Sequence, residues 1–447
     1  MLFEKSPQKQ LTDESLIAPS VRVSQHISGS RIRILHIIND LSIGGAEMTL
    51  YKLLSKIDNE RFESVVISLK NHGKLRERIE ALSVPVYSVS MKSKVPTPTS
   101  VLRLIRLARQ LDPDLVQGWM AHGNLAAQVV AAFAPCRLPV LWNIRQSLYS
   151  LTHEKPMTKA AIRLCARLSK MPVKIFYNSR TSAAQHEAIG YRSENCIVIP
   201  NGFDPDRFST SLEARLSVRR ELGLAEDTFL IGLIGRHHWM KDHHNFFQAA
   251  RLLRAEHPNV HFVLCGRGVV WDNKSLSQEI QQSNLDGRVH LLGERDDIPR
   301  LMAALDINVS SSSDEGFPNV IGEGMCCGVP CVATDVSDLP WIVGETGRIV
   351  PPRDASALAL ALKEMIELEA EDRTALGLAA RARVMQCFQL KSIIEKYEEV
   401  YETTFRQNIY HVQESDFPLS TLINRVTKVG AGRRAVRIHL SKSTDTE

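Results

Sequence analysis

The chain has 447 residues, 44% of them hydrophobic and 23% charged, and carries a net charge of +5. That length exceeds one ordinary core and suits two domains, while the composition excludes a disordered or fibrous protein. A charge of +5 is too small to imply a nucleic-acid partner.

The opening MLFEKSPQKQLTDESLIAPS has no secretory pattern, and the best apolar run, Leu125 to Cys136, is about half the ~20 residues of a membrane span. The eight cysteines are scattered apart from Cys326, Cys327 and Cys331, which lack the pairing of a metal site. They read as packing residues in a reducing cytosol.

In chain order, residues 1–30 are polar and read as a disordered N-terminal arm. Strand RIRILHIIND, with its apolar run Ile34 to Ile38, meets a glycine turn at Gly44-Gly45 and then helix MTLYKLLSKI. Strands ESVVISL, VPVYSVS, LVQGW, PVLWNI and KIFYNS follow, with helices between them, among them KLRERIEAL and SVLRLIRLARQL. Ile199-Pro200-Asn201-Gly202-Phe203-Asp204-Pro205 is turn chemistry and sets a hinge near 205. Alternation restarts with FLIGLIG, HFVLCG, RVHLLGE, INVSSS, PCVATD and RIVPP, and closes with helices over roughly 355–388 and 390–406. The expectation is an α/β chain of two doubly wound, Rossmann-like domains facing across a cleft, at 31–205 and 206–390, then a closing helix at 391–406 and a basic tail at 407–447.

The densest chemical signal is DEGFPNVIGEG from Asp314 to Gly324. A strand feeds a turn there and Pro318 stands at a helix start, whose free amides suit a diphosphate. Glu315 lies just before that helix and Glu323 more than a turn inside it, and ionised carboxylates accept hydrogen bonds from sugar hydroxyls. The second signal, GRHHWMKD, places Arg236 and Lys241 in a glycine turn ahead of a helix, where two cations reach phosphate oxygens.

With Glu315-x7-Glu323, GRHHWMKDH, LLGERDDIP and the hinge IPNGFD in this order, residues 31–390 resemble the retaining, two-Rossmann (GT-B) glycosyltransferases of family 4. The resemblance implies that Arg236 and Lys241 hold the donor diphosphate and stabilise it as it leaves. It implies that Glu323 binds the donor ribose, and that Glu315 with the Gly316 turn and the amides of Phe317, Asn319 and Val320 addresses the transferred sugar and phosphates. Glu294 and Arg295 take the nucleobase rim, acting mostly through backbone. Gly44 and Gly45 resemble the family's first glycine loop. His122, in QGWMAHGN, would touch the donor sugar or the reacting oxygen. Arg145, in NIRQS, is the candidate acceptor or phosphate contact.

No cofactor or metal is implied, because the cationic loop replaces a divalent ion. The partners implied are a nucleotide-sugar donor and a glycan or lipid-linked acceptor, as in assembly of polysaccharide or lipopolysaccharide. Rival readings are a nucleotide-sugar epimerase or phosphorylase on the same fold, or a non-catalytic nucleotide-binding module.

A helix over about 155–174 would set Lys159, Arg163, Arg167, Lys170 and Lys174 in one basic stripe, and SVLRLIRLARQL adds Arg103, Arg106 and Arg109. Basic faces beside apolar residues suit an anionic membrane surface, so the expected location is the cytoplasm with peripheral attachment to the inner face of the cell membrane. The tail contains Arg425, Lys428, Arg433, Arg434, Arg437 and Lys442 without acidic residues between Phe417 and Ser443, and disorder is its default reading.

Overall fold

The structure is a computed structural model that describes residues 31–71, 73–91, 96–148, 151 and 155–416, the side chains only as far as 409. The arm at 1–30 and the basic run from 417 lie outside the described residues. Arg31–Glu402 forms one compact unit, and the described residues of the other unit continue the last helix, Leu390–Asp416.

Two wholly parallel sheets organise that unit. In the first, β1 (Ile32–Ile38), β2 (Phe62–Ser68), β3 (Val86–Ser88), β4 (Leu115–Trp119), β5 (Val140–Ile144), β6 (Lys174–Tyr177) and β7 (Cys196–Val198) stand in the order β3-β2-β1-β4-β5-β6-β7. In the second, β8 (Phe229–Ile234), β9 (Val260–Cys265), β10 (Val289–Leu291), β11 (Ile307–Ser310), β12 (Cys331–Thr334) and β13 (Gly347–Val350) stand in the order β10-β9-β8-β11-β12-β13. Helices cover the strands, which accounts for their unbroken apolar runs: Ile34, Leu35, Ile37 and Ile38 of β1 are all fully buried.

Each sheet reverses its strand order once, between β1 and β4 and between β8 and β11. Loops at the carboxyl ends of strands flanking such a reversal splay apart and leave a crevice for ligands. The loop after β1 carries Gly44, the junction after β4 carries His122, the loop after β8 carries Arg236 and Lys241, and the loop after β11 carries Glu315. The fold thus sets the motifs at the two reversals.

The chain crosses between the two halves twice, at the hinge and again before the last helix, and the crossings bond to each other. The Phe203 N–H donates to the Phe388 carbonyl at 2.9 Å, and the Leu390 N–H donates to the Phe203 carbonyl at 2.8 Å. Gly202 allows the approach, since a Cβ there would stand 2.7 Å from Leu390 Cα. The last helix then returns to the first half, where the Tyr401 hydroxyl donates to Gln117 and Tyr397 packs edge-on to Phe176.

Three sequence expectations are corrected. β7, Cys196–Val198, is a further strand just ahead of the turn residues that begin at Ile199, where the sequence reading placed no element. The basic-stripe helix is shorter, Pro156–Leu168, because Pro172 blocks its continuation, and Lys174 opens β6. Lys159, Arg163 and Arg167 remain on that helix. The segment 355–388 is two helices, Ala355–Glu367 and Ala370–Cys387.

Candidate active site

The cationic loop is shaped by close backbone contact. Gly235 donates its N–H to the Cys265 carbonyl at 2.8 Å, and Gly266, at φ +150°, sits where a Cβ would stand 2.1 Å from the Gly235 carbonyl oxygen. The chain then makes a short 3₁₀ turn, Trp239–Lys241, and leaves it through Asp242 at φ +47°. Asp242 caps the helix His243–Leu253 by accepting the Asn245 N–H at 3.2 Å. Arg236 stays exposed at the mouth of this loop.

The serines after β11 bind the same loop from the other side. The Ser311 hydroxyl donates to the Lys241 carbonyl at 2.8 Å, and the Ser313 N–H donates to the Met240 carbonyl at 2.8 Å. The Lys241 ammonium pairs with Glu315, whose Oε1 also accepts the Ser312 hydroxyl at 2.7 Å. One carboxylate thus ties the two loops expected to handle diphosphate and sugar. Asp314 beside it is buried and accepts from Ser147 Oγ of the first half at 3.3 Å. Burial raises its carboxyl to about 6 against the pull of Ser147, and Glu315 adds repulsion.

The helix Asn319–Cys326 follows with Pro318 at its N-cap, and among the described residues no side chain caps it. Its first N–H groups have no partner within the helix and stand ready for an acceptor. The Phe317 ring is buried against Phe203 and Phe388, so only its backbone remains for the expected phosphate contact. Asn319 accepts from Asn201 of the hinge at 2.6 Å, and the Val320 carbonyl accepts from Asn308 at 2.8 Å. Glu323 is half-buried, and burial raises its carboxyl while Lys52 and Arg207 act to lower it. Lys52, from the helix Gly45–Lys56 of the first half, donates to the Gly202 carbonyl at 3.2 Å, and burial lowers its pKa.

On the first half, Gly44 caps the helix Gly45–Lys56 in extended conformation, and a Cβ there would strike the Glu47 carboxylate. Gly45 is exposed. His122 sits on the first turn of the helix Met120–Ala132, which opens with Met120 at φ +61°, an unfavourable backbone for a side-chain-bearing residue. Two glycines hold that turn against the sheet: a Cβ on Gly123 would stand 2.3 Å from the Ile37 carbonyl, and one on Gly118 would stand 2.5 Å from Asn124 Cα. Burial lowers the His122 pKa, and Lys70 lowers it further, so the ring is neutral near pH 7.

Two expectations meet a different setting. Arg145 is buried and donates to the Tyr397 hydroxyl at 2.8 Å, the Ile199 carbonyl at 3.4 Å and Asn201. Its guanidinium is committed to the hinge and the last helix, so it is read as a structural tie rather than an acceptor contact. Arg295 spends its side chain on Asp297 at 2.7 Å and Glu221 at 2.6 Å, so only its backbone remains for the expected role at the nucleobase rim. Glu294 makes an exposed pair with Arg267 at 3.5 Å. The thiols of Cys326, Cys327 and Cys331 are buried and pushed up to about 12, the state of packing residues. Ser312, Asp314 and Lys52 had no assigned role in the sequence, although the SSSDE run after a strand was visible.

Residues 43–207 match the family described as Glycosyltransferase Family 4, and residues 228–368 match the family described as Glycosyl transferases group 1. The chain is 30% identical over 365 residues to the lipopolysaccharide core biosynthesis glycosyltransferase LpsE of Rhizobium meliloti, covering 79% of this chain and 94% of that protein. It is 22% identical over 387 residues to the UDP-Gal:alpha-D-GlcNAc-diphosphoundecaprenol alpha-1,3-galactosyltransferase of Escherichia coli, covering 83% and 97%. Among solved structures, Anabaena HepE in complex with UDP and glucose superposes with a TM-score of 0.72 at 25% identity, covering 83% of this chain and all of that one. With its motifs set at the reversals of two parallel sheets, and these likenesses running through both halves, the chain belongs to the glycosyltransferases of family 4 and group 1 and is a GT-B glycosyltransferase enzyme.

Proposed function

We propose that this enzyme transfers a sugar from a nucleoside-diphosphate donor to a glycan or lipid-linked acceptor, with retention at the anomeric carbon, in assembly of lipopolysaccharide or a related surface polysaccharide. The observation that carries the reading is the Lys241–Glu315–Ser312 cluster beside the uncapped helix at Asn319. Breaking a sugar–diphosphate bond develops negative charge on the departing oxygen and positive charge on the sugar ring. Arg236, Lys241 and the amides of Phe317, Asn319 and Val320 stabilise the departing diphosphate without reorganising.

Glu315 orients Lys241 and accepts hydroxyls of the transferred sugar, and Glu323 accepts the ribose hydroxyls. Gly316 and the Gly44-Gly45 turn admit the diphosphate closely, and the backbone of Glu294 and Arg295 borders the base. His122 is neutral and faces the sugar. The acceptor hydroxyl attacks from the side of the leaving group, and its proton passes to the departing phosphate. The cationic loop makes a divalent ion unnecessary. The acceptor chemistry rests on the likeness to LpsE and to the E. coli galactosyltransferase. The likeness to HepE with UDP makes uridine the first base to test.

The enzyme works at the inner face of the cell membrane, held there peripherally by exposed cations such as Arg163 and Arg167 near exposed Leu164. No helix among the described residues is long and apolar enough to cross a membrane. The test is NMR of the new anomeric proton in product formed with EDTA present. Retention with full activity is expected, and an inverted centre or loss of activity restored by manganese overturns the reading.

A further inference from the structure

Along the outer edge of the first sheet, the helix Pro98–Leu111 and edge strand β3 leave a groove of about 890 Å³ between them. Thr99, Leu102, Arg103, Arg106, Leu107 and Gln110 line it from the helix at steps of three and four, so they form one helix face. The opposite face, Leu104, Ile105 and Ala108, is buried in the core. Among the described residues, no acidic one lines the groove. Arg103 and Arg106 are exposed, stand one turn apart, and have no hydrogen bond or ion pair among the described residues. Arg76, across the groove, is already paired with Glu80 at 3.0 Å and donates to the Val86 carbonyl, so the free positive charge is that of Arg103 and Arg106.

The remaining lining is of a different kind. Asn71, Ser88 and Ser90 supply amide and hydroxyl groups at the carboxyl ends of β2 and β3, and Tyr87 offers a partly exposed ring. Cations for carboxylate or phosphate, small polar groups for hydroxyls and an aromatic face together match an acidic saccharide. A peptide adding a strand fits poorly. β3 has three residues, and Arg76 Nη2 already donates to the Val86 carbonyl at 3.0 Å. The groove is also concave, whereas a bilayer surface meets the tips of side chains.

Its polar end adjoins the site. Asn71 follows Lys70, whose ammonium pairs with Asp40 at 3.3 Å and whose charge bears on His122. The groove therefore opens at the same carboxyl end of the sheet as Gly44 and His122.

We infer that this groove holds an acidic stretch of the saccharide acceptor, with Arg103 and Arg106 on its carboxylate or phosphate groups. The inference rests on the reading above that the first half receives a glycan acceptor, and it narrows that glycan to an anionic one.

The test is calorimetric binding of tetragalacturonate and of neutral maltotetraose to the full chain, wild type and R103Q/R106Q. Tetragalacturonate is expected to bind the wild type and to weaken about tenfold in the variant, as two charge-assisted contacts are lost, with the difference shrinking at high salt. Maltotetraose and UDP are expected to be indifferent to the change. Because UDP binding reports the donor site separately, its loss in the wild type counts against the proposed function and not against the groove. Absent or equal tetragalacturonate binding in the two proteins overturns the inference. So does a variant that loses only its sedimentation with phosphatidylglycerol vesicles, which would make the face a membrane contact.

Discussion

The carboxylate of Asp338, in the second half, caps a helix of the first half: it accepts the backbone N–H groups of Arg180 and Thr181 at 2.8 and 3.0 Å. The Thr181 hydroxyl adds a third bond at 2.8 Å, and the Arg180 guanidinium lies 4.5 Å over the Trp341 ring. The helix Arg180–Ala188 therefore has one end completed by a residue 157 positions further along the chain. Asp338→Ala leaves those part-buried donors without their acceptor and is expected to cost about 1 kcal/mol. Asp338→Asn keeps the shape and part of the bonding and should lose less. Chemical denaturation of both variants checks this, and an unchanged midpoint in the alanine variant would show that the cap is replaced by water.

Arg236 and Lys241 are expected to serve the same leaving group, but their surroundings predict different effects on stability. Arg236→Ala and Lys241→Ala should each lower turnover by about 10²–10³, by analogy with loss of one oxyanion donor. Arg236 is exposed and without a partner among the described residues, so its removal should leave the melting temperature unchanged. Lys241 neutralises the buried Glu315, so its removal should also cost about 1–3 kcal/mol of stability. Near-normal turnover in both variants at saturating donor would remove the diphosphate role.

Glu323→Gln tests ribose recognition. A carboxylate offers two acceptors to vicinal hydroxyls, whereas the amide turns one of them into a donor. Affinity for UDP should fall by ~1.5–3 kcal/mol, or about one to two decades. The loss should be smaller with 2′-deoxy-UDP, which already lacks one hydroxyl. Calorimetry with both proteins and both nucleotides closes the cycle, and equal losses would leave Glu323 a helix residue only.

Asp314 predicts a dependence of stability on pH. Its folded carboxyl, at about 6, lies above the ordinary value of 3.8, so the folded state keeps a proton that the unfolded state releases between those values. Stability is therefore lost as pH rises through that window, and the penalty is constant above it. Asp314→Asn removes the penalty while keeping a partner for Ser147. The variant should melt about 2 °C above wild type at pH 7.5 and equal to it near pH 4. A gain of the same size at both pH values would show that the carboxyl does not titrate there.

Most of the architecture was legible because a parallel strand covered on both faces is a short apolar block, and thirteen residues such as RIRILHIINDLSI show block and turn together. β7 escaped because Cys196–Val198 is too short to separate from the turn residues after it. The loops that carry chemistry were visible for the same local reason, each being a glycine- or serine-rich turn at a strand end. What joins them was not. Lys241 and Glu315 lie 74 residues apart, and Arg145 finds Tyr397 252 residues away. A lone arginine after a strand looks alike whether it faces a ligand or a hinge, and only the fold decides.

The return of the last helix also bears on how the protein is made. Gln117, Asn143 and Arg145 belong to the first half, yet each bonds to Tyr397 or Tyr401. While the ribosome is still adding the second half, these groups, with Phe62 and Phe176, lack the cover and the partners that Tyr397 and Tyr401 supply. The first half thus emerges early but stays unfinished until synthesis has passed Tyr401. A fragment ending at the hinge is therefore expected to be less stable than the same fragment with residues 390–402 joined to it by a linker.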